Sequence, residues 1–136
     1  MTARILIVDD EPSLRRTLQR ALTTYKYDVV AVADPHSAYQ LLSESTFDLV
    51  LLDLRLPQMA GDAFFLAIVR RWPRLLGRVI MMSGNPYSEL NEGAPELVGL
   101  PILPKPFSLE TLVRLIGIML AAAETRENML KGNGLG

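Results

Sequence analysis

Asp9 and Asp10, Asp53, Ser83 and Lys105 each stand at or just beyond the C-terminal end of an apolar run that reads as a buried strand. In a parallel sheet such ends gather at one edge, where open α/β folds bind their ligands. Three carboxylates, a hydroxyl and an ammonium would meet there. Two carboxylates about 4 Å apart repel by roughly 4 kcal/mol at an effective dielectric near 20, so the acids call for a cation between them. The hydroxyl and the ammonium are donors suited to anionic oxygens. The set fits a divalent metal and a phosphoryl group.

The elements that must hold these residues alternate as repeated βα units do. Residues 5–8 form a near-continuous apolar run, as expected of a strand covered on both faces. Pro12 opens a helix at its first turn, with Leu14, Leu18, Ala21, Leu22 and Tyr25 on one face of a 3.6-residue period. A second strand is expected over residues 29–33, and Asp34-Pro35 supplies the N-cap and first turn of a second helix ending before Thr46. Residues 49–52 make a third strand running into Asp53. After the turn at 56–61, Asp62 is expected to cap a helix that buries Phe65, Ile68, Val69 and Trp72. Residues 79–82 make strand four, ending at Ser83.

Beyond Ser83 the pattern weakens. Pro86, Asn91, Gly93 and Pro95 leave two turns of a fourth helix around residues 87–92. Ile102-Leu103 lies between Pro101 and Pro104, which cannot donate to a ladder, and so suits a sheet edge. Ser108 is expected to cap a last helix running to about Glu124. The folded unit then spans residues 3–122, and residues 123–136 read as a tail, a linker or a cloning remnant.

A chain of 136 residues, 49% of them hydrophobic, fits one domain with a sizeable core. With no cysteine, a disulfide framework, a thiolate metal site and a cysteine nucleophile are excluded. The formal net charge of -1 gives no general attraction to nucleic acid. Arg70, Arg71, Arg74 and Arg78 read as a solvated basic face. No apolar stretch approaches the roughly 18 residues of a membrane span, and the N-terminus is too short for a signal peptide, so a cytoplasmic location is expected. His36, the only histidine, falls in the first turn of helix two, away from the acidic edge.

The placement of Asp9-Asp10, Asp53, Ser83 and Lys105-Pro106 after strands one, three, four and five resembles the receiver domain of two-component response regulators. Its most specific stretches are Ile5-Leu6-Ile7-Val8-Asp9-Asp10-Glu11-Pro12, Leu51-Leu52-Asp53-Leu54-Arg55-Leu56-Pro57 with Gly61, Met82-Ser83-Gly84 and Pro104-Lys105-Pro106-Phe107. The resemblance implies a flavodoxin-like α/β sandwich: a doubly wound, five-stranded parallel sheet in order 2-1-3-4-5 with helices on both faces. It also implies phosphorylation of an aspartate by a histidine kinase or phosphotransfer protein, and signalling by conformational change.

Each site residue has a plain structural alternative. Asp9-Asp10 could cap the helix opened by Pro12, Asp53 could start a turn, and Ser83 and Lys105 could be turn and surface residues. Their convergence favours chemistry. Mg2+ suits the acids, because it takes hard oxygen ligands from a few carboxylates and keeps waters that a phosphoryl oxygen can replace. By resemblance, Asp10, Asp53 and the backbone carbonyl of Arg55 ligate it, while Asp9 acts through water. Asp53 is then the nucleophile of an aspartyl phosphate, with Ser83 and Lys105 on the phosphoryl group. The peptide before Pro106 resembles a family position that is cis, which would aim Lys105 inward.

Ile102 departs from the family pattern, which commonly has Tyr or Phe three residues before the lysine, so the usual rotating aromatic is missing. Two other readings compete. One is a Mg2+-dependent phosphatase or phosphotransferase working through an aspartyl phosphate. Against it, Arg55 rather than a second aspartate follows two residues after Asp53. The other is a nucleotide-binding module, and no Gly-x-Gly-x-x-Gly follows strand one.

The last helix carries more apolar surface than one core contact uses. Leu109, Leu112, Val113, Ile116 and Leu120 are expected to face the sheet. Leu115, Ile118 and Ala122, with Met119 at the border, form a second stripe, read as a homodimer or partner surface unless residues 125–130 fold back over it. Receivers resembling this chain often dimerise on the face built from helix four, strand five and helix five.

Overall fold

The computed structural model describes residues 2–84 and 94–135. The fourth helix expected around residues 87–92 lies outside them. Five strands, β1 (Arg4–Val8), β2 (Asp28–Val32), β3 (Leu49–Asp53), β4 (Val79–Ser83) and β5 (Ile102–Pro104), form one parallel sheet in order β2-β1-β3-β4-β5. This is the topology expected above. Register sets Val8 beside Leu52, Asp53 beside Met82 and Ser83 beside Pro104, which aligns the chemistry-bearing ends of four strands along one edge.

Among the described residues, four α-helices cover the sheet: α1 (Pro12–Thr24), α2 (Pro35–Glu44), α3 (Gly61–Arg71) and α4 (Leu109–Leu135). Alternate strand residues point to opposite faces, and two cores result. Leu6, Val8, Val50, Leu52 and Met81 meet Ala38 and Leu42 of α2 and Phe64, Phe65, Ile68 and Val69 of α3. Ile5, Ile7, Leu49, Leu51, Ile80 and Met82 meet Leu18 and Leu22 of α1 and Leu112, Ile116 and Met119 of α4. β3 and β4 are buried along their whole length, which is why they read as unbroken apolar runs.

Side-chain caps fix two of the four helix starts, those of α2 and α4. Asp34 accepts from the Ser37 amide at 2.8 Å and from its hydroxyl at 3.0 Å. These bonds hold the Asp34 carboxyl below its ordinary pKa. Ser108 accepts from the Thr111 amide at 3.0 Å. Asp62, in contrast, is not the cap of α3: the N-cap is Ala60, and Asp62 sits inside the first turn, accepting from the Ala63 amide at 2.9 Å. Tyr25 stands at the C-cap of α1 and is half exposed instead of buried.

α4 differs most from expectation. It does not stop near Glu124 but runs through to Leu135, so residues 125–130 continue the helix and do not fold back. Its buried side chains among the described residues are Leu112, Ile116, Met119 and Ala123, while Leu109 is exposed. Met119 is therefore core and leaves the outward stripe. The basic group is likewise not a uniform solvated face. Arg70 pairs with Glu96 at 2.7 Å, and Arg71 stands over the Trp72 ring. Arg74 donates to the Phe47 carbonyl at 2.7 Å, and Arg78 is buried with Nη2 2.7 Å from Glu127 Oε1.

Candidate phosphoacceptor site

The carboxyl edge brings Asp9, Asp10, Asp53 and Lys105 together. Each acid offers an oxygen, and these oxygens lie within 4.8 Å of one another. Asp9 follows β1 and is fully buried, Asp53 ends β3 at 6% exposure, and Asp10 faces solvent. Lys105 Nζ donates to Asp53 Oδ2 at 2.9 Å and reaches Asp9 Oδ2 at 3.5 Å. The peptide between Lys105 and Pro106 is cis. The Lys105 amide donates to the Ser83 carbonyl at 2.7 Å, tying the lysine loop to the end of β4, where Ser83 is buried.

Backbone donors hold the acids. The Glu11 amide donates to Asp9 Oδ1 at 2.8 Å, and the Arg55 amide donates to Asp53 Oδ1 at 3.0 Å. Each acid thus keeps its other oxygen toward the lysine. Burial raises the pKa of Asp9, against the opposing pull of the Glu11 amide and the Lys105 ammonium. Burial also acts to lower the Lys105 pKa, but the hydrogen bond and charge of Asp53, and then those of Asp9, outweigh it and leave the pKa raised. The ammonium is held charged between two acids.

The donor set fits a small hard cation. Three carboxylate oxygens on one side, with an exposed acid at the rim, supply the oxygen ligands Mg2+ takes while leaving part of its shell to water. His36 lies exposed on α2, outside this cluster. Two supporting contacts are not legible in the sequence. Arg15 Nη1 donates to the Asp9 carbonyl at 2.8 Å from the first turns of α1. Gly61 lets α3 start against the end of β3: its amide donates to the Leu54 carbonyl at 2.7 Å, and a Cβ there would lie 2.4 Å from the Asp53 carbonyl oxygen. The glycine was visible as part of a motif, but its close approach was not.

A doubly wound α/β sandwich with an acid triad and a lysine at its carboxyl edge defines a class of phosphoacceptor-type signalling folds. The family model for the response regulator receiver domain matches residues 5–117, and the chain belongs to that family. It is 33% identical over 120 residues to the response regulator receiver protein CpdR of Brucella abortus (strain 2308), covering 88% of this chain and 98% of that protein. It is also 33% identical over 110 residues to the DNA-binding transcriptional regulator NtrC of Klebsiella pneumoniae, of which it spans only 23%. Among solved structures, a CheY-like receiver domain protein of Methanospirillum hungatei JF-1 superposes with a TM-score of 0.82 at 26% identity, covering 93% of this chain and 99% of that one. Among the described residues, no helix is long and apolar enough to cross a membrane.

Proposed function

We propose that Asp53 accepts a phosphoryl group from a histidine kinase or phosphotransfer protein in a Mg2+-dependent reaction. The observation that carries this reading is the convergence of three carboxylates within 4.8 Å with the Lys105 ammonium 2.9 Å from Asp53. A carboxylate oxygen of Asp53 attacks phosphorus as the P–N bond of a phosphohistidine breaks, its electron pair returning to the imidazole. Asp9, Asp10 and Asp53, with the Arg55 carbonyl, are the groups that would hold Mg2+, which when bound offsets charge on the incoming phosphoryl oxygens. Lys105 then transfers its hydrogen bond from Asp53 to a phosphoryl oxygen, and the Ser83 hydroxyl donates to another. The domain acts as a cytoplasmic phosphoacceptor, through protein contacts and not directly on nucleic acid. Self-association through α4 belongs to the same reading, using Leu115, Ile118 and Ala122 without the buried Met119.

Intact mass measurement after treatment with acetyl phosphate tests it. One phosphoryl group should add in the presence of Mg2+, none after chelation, and none in Asp53→Asn. Undiminished addition in Asp53→Asn removes Asp53 as acceptor, and sustained release of phosphate from a small phosphomonoester would favour an enzyme.

A further inference from the structure

Asp9 and Asp53 share the Lys105 ammonium, but the third acid has no such hold. The Asp10 carboxylate is exposed and takes no hydrogen bond or ion pair among the described residues. Yet one of its oxygens lies within 4.8 Å of those of its neighbours. The backbone on either side keeps it there. The Asp9 amide donates to the Val32 carbonyl at 3.1 Å, and the Glu11 amide donates to Asp9 Oδ1 at 2.8 Å. The peptide that joins Asp9 to Asp10, and so sets the direction of Asp10, is held through its carbonyl. Arg15 Nη1 donates to that oxygen at 2.8 Å.

α1 places Arg15 for this contact. The Arg15 amide donates to the Glu11 carbonyl at 3.0 Å, so one residue ties down both ends of the short link from Asp9 to Glu11. Its side chain is half-buried, whereas Arg16 and Arg20 on the same helix are exposed. Glu11, the N-cap of α1, makes no side-chain capping bond, so the link has no cap to stiffen it. A guanidinium close to carboxylates ordinarily pairs with one of them. Arg15 forms no ion pair among the described residues and gives its fork to a carbonyl, which leaves the Asp10 oxygens open.

We infer that Arg15 is a positioning residue for the cation site: it fixes the Asp9–Asp10 peptide so that the Asp10 carboxylate stands beside Asp9 and Asp53. The inference rests on the Mg2+ reading proposed above and deepens it. Charge and position act here with opposite sign. A guanidinium near the site repels a divalent cation, so by charge alone its removal would tighten binding. By position its removal frees Asp10 to turn into solvent, and binding weakens. Groups that orient a metal ligand from behind typically set affinity by about tenfold or more.

Isothermal titration of the unphosphorylated full chain with Mg2+ tests this, with circular dichroism to confirm that each variant folds. Arg15→Ala should weaken Mg2+ binding by about tenfold. Arg15→Lys, which keeps the charge and a donor but not the planar fork, should recover part of that loss. Arg16→Ala, which removes an exposed charge from the same helix, should bind at least as tightly as wild type. With acetyl phosphate at saturating Mg2+, the phosphorylation rate of Arg15→Ala should return close to that of wild type. If Arg15→Ala binds Mg2+ as wild type does, or more tightly, Arg15 does not position Asp10 and the inference is wrong. A rate that stays slow at saturating Mg2+ would place Arg15 in the chemistry and overturn the positioning role. If wild type itself binds no Mg2+, the cation reading falls and this inference falls with it.

Discussion

Gly61→Ala and Gly117→Ala make the same chemical change with opposite expected sign. At Gly61 the added methyl would lie 2.4 Å from the Asp53 carbonyl oxygen, 2.6 Å from Leu54 Cα and 2.9 Å from the Leu54 carbonyl oxygen. All three are backbone atoms at the end of β3, so no flexible side chain can yield. Overpacking costs about 1–3 kcal/mol, and weakening the Gly61-to-Leu54 hydrogen bond adds about 1, for a loss of about 2–4 kcal/mol. With an unfolding entropy near 2.1 cal/mol/K per residue, about 0.29 kcal/mol/K for the whole chain, the melting temperature should fall by about 7–14 °C. Gly117 is an exposed position within α4 with nothing within 4 Å of a built Cβ. There alanine removes backbone entropy from the unfolded chain and should add close to 1 kcal/mol, raising the melting temperature by about 3 °C. Differential scanning calorimetry reads both. Because the loop shift at Gly61 also displaces Asp53, phosphorylation by acetyl phosphate should slow in Gly61→Ala and not in Gly117→Ala. A Gly61→Ala protein that melts within 2 °C of wild type and phosphorylates at its rate would refute the close-approach reasoning.

Other expectations follow from single contacts. Asp34→Ala should cost about 1 kcal/mol through loss of the α2 cap, whereas Asp34→Asn should cost little. Because the Asp34 pKa is lowered in the folded state, the capping contribution is present above the unfolded value near 3.8 and lost as pH falls through the folded value. The melting difference between wild type and Asp34→Ala should therefore shrink in acid, and a constant gap across that range would contradict the assignment. Lys105→Ala leaves Asp9 and Asp53 without their ammonium, so it should be destabilised without Mg2+ and gain more melting temperature from added Mg2+ than wild type does. Equal gains would mean that the lysine does not stand in for a cation. Ile102 is half-buried against the core shared by β4 and α3 and has no ring to swing. A phosphoryl mimic should accordingly leave hydrogen exchange at the Ile102 amide little changed, and strong new protection there would count against this.

The sheet was legible because parallel strands covered on both faces must be apolar throughout, and Leu49 to Leu52 is such a run, ending on an acid. The site was legible for the same reason, since each chemistry-bearing residue directly follows a run whose direction the βα alternation fixes. What the sequence hid lay in tertiary contacts. Gly132-Asn133-Gly134 argues locally against a helix, yet α4 continues through it, with Glu127 bound to Arg78 and Arg74 earlier in the same helix. The face of α4 was placed about 50° from its true direction, because apolar residues ring much of that helix and the period alone does not choose among them. That rotation put Leu109 in the core and Met119 on the stripe, the reverse of what the packing shows. At α3, Asp62 looked like a cap by type. The close approach of Gly61 to Leu54 instead starts the helix at Gly61, after Ala60.

The central claim is that Asp53, among three neighbouring aspartates, is the acceptor. Borohydride reduces an acyl phosphate to the alcohol, so an aspartyl phosphate becomes homoserine and marks its own position. Peptide mass mapping after phosphorylation in Mg2+ and reduction should find homoserine at position 53, with Asp9 and Asp10 unchanged. Homoserine at position 9 or 10, or at no aspartate in a chain that has gained a phosphoryl group, would contradict the account.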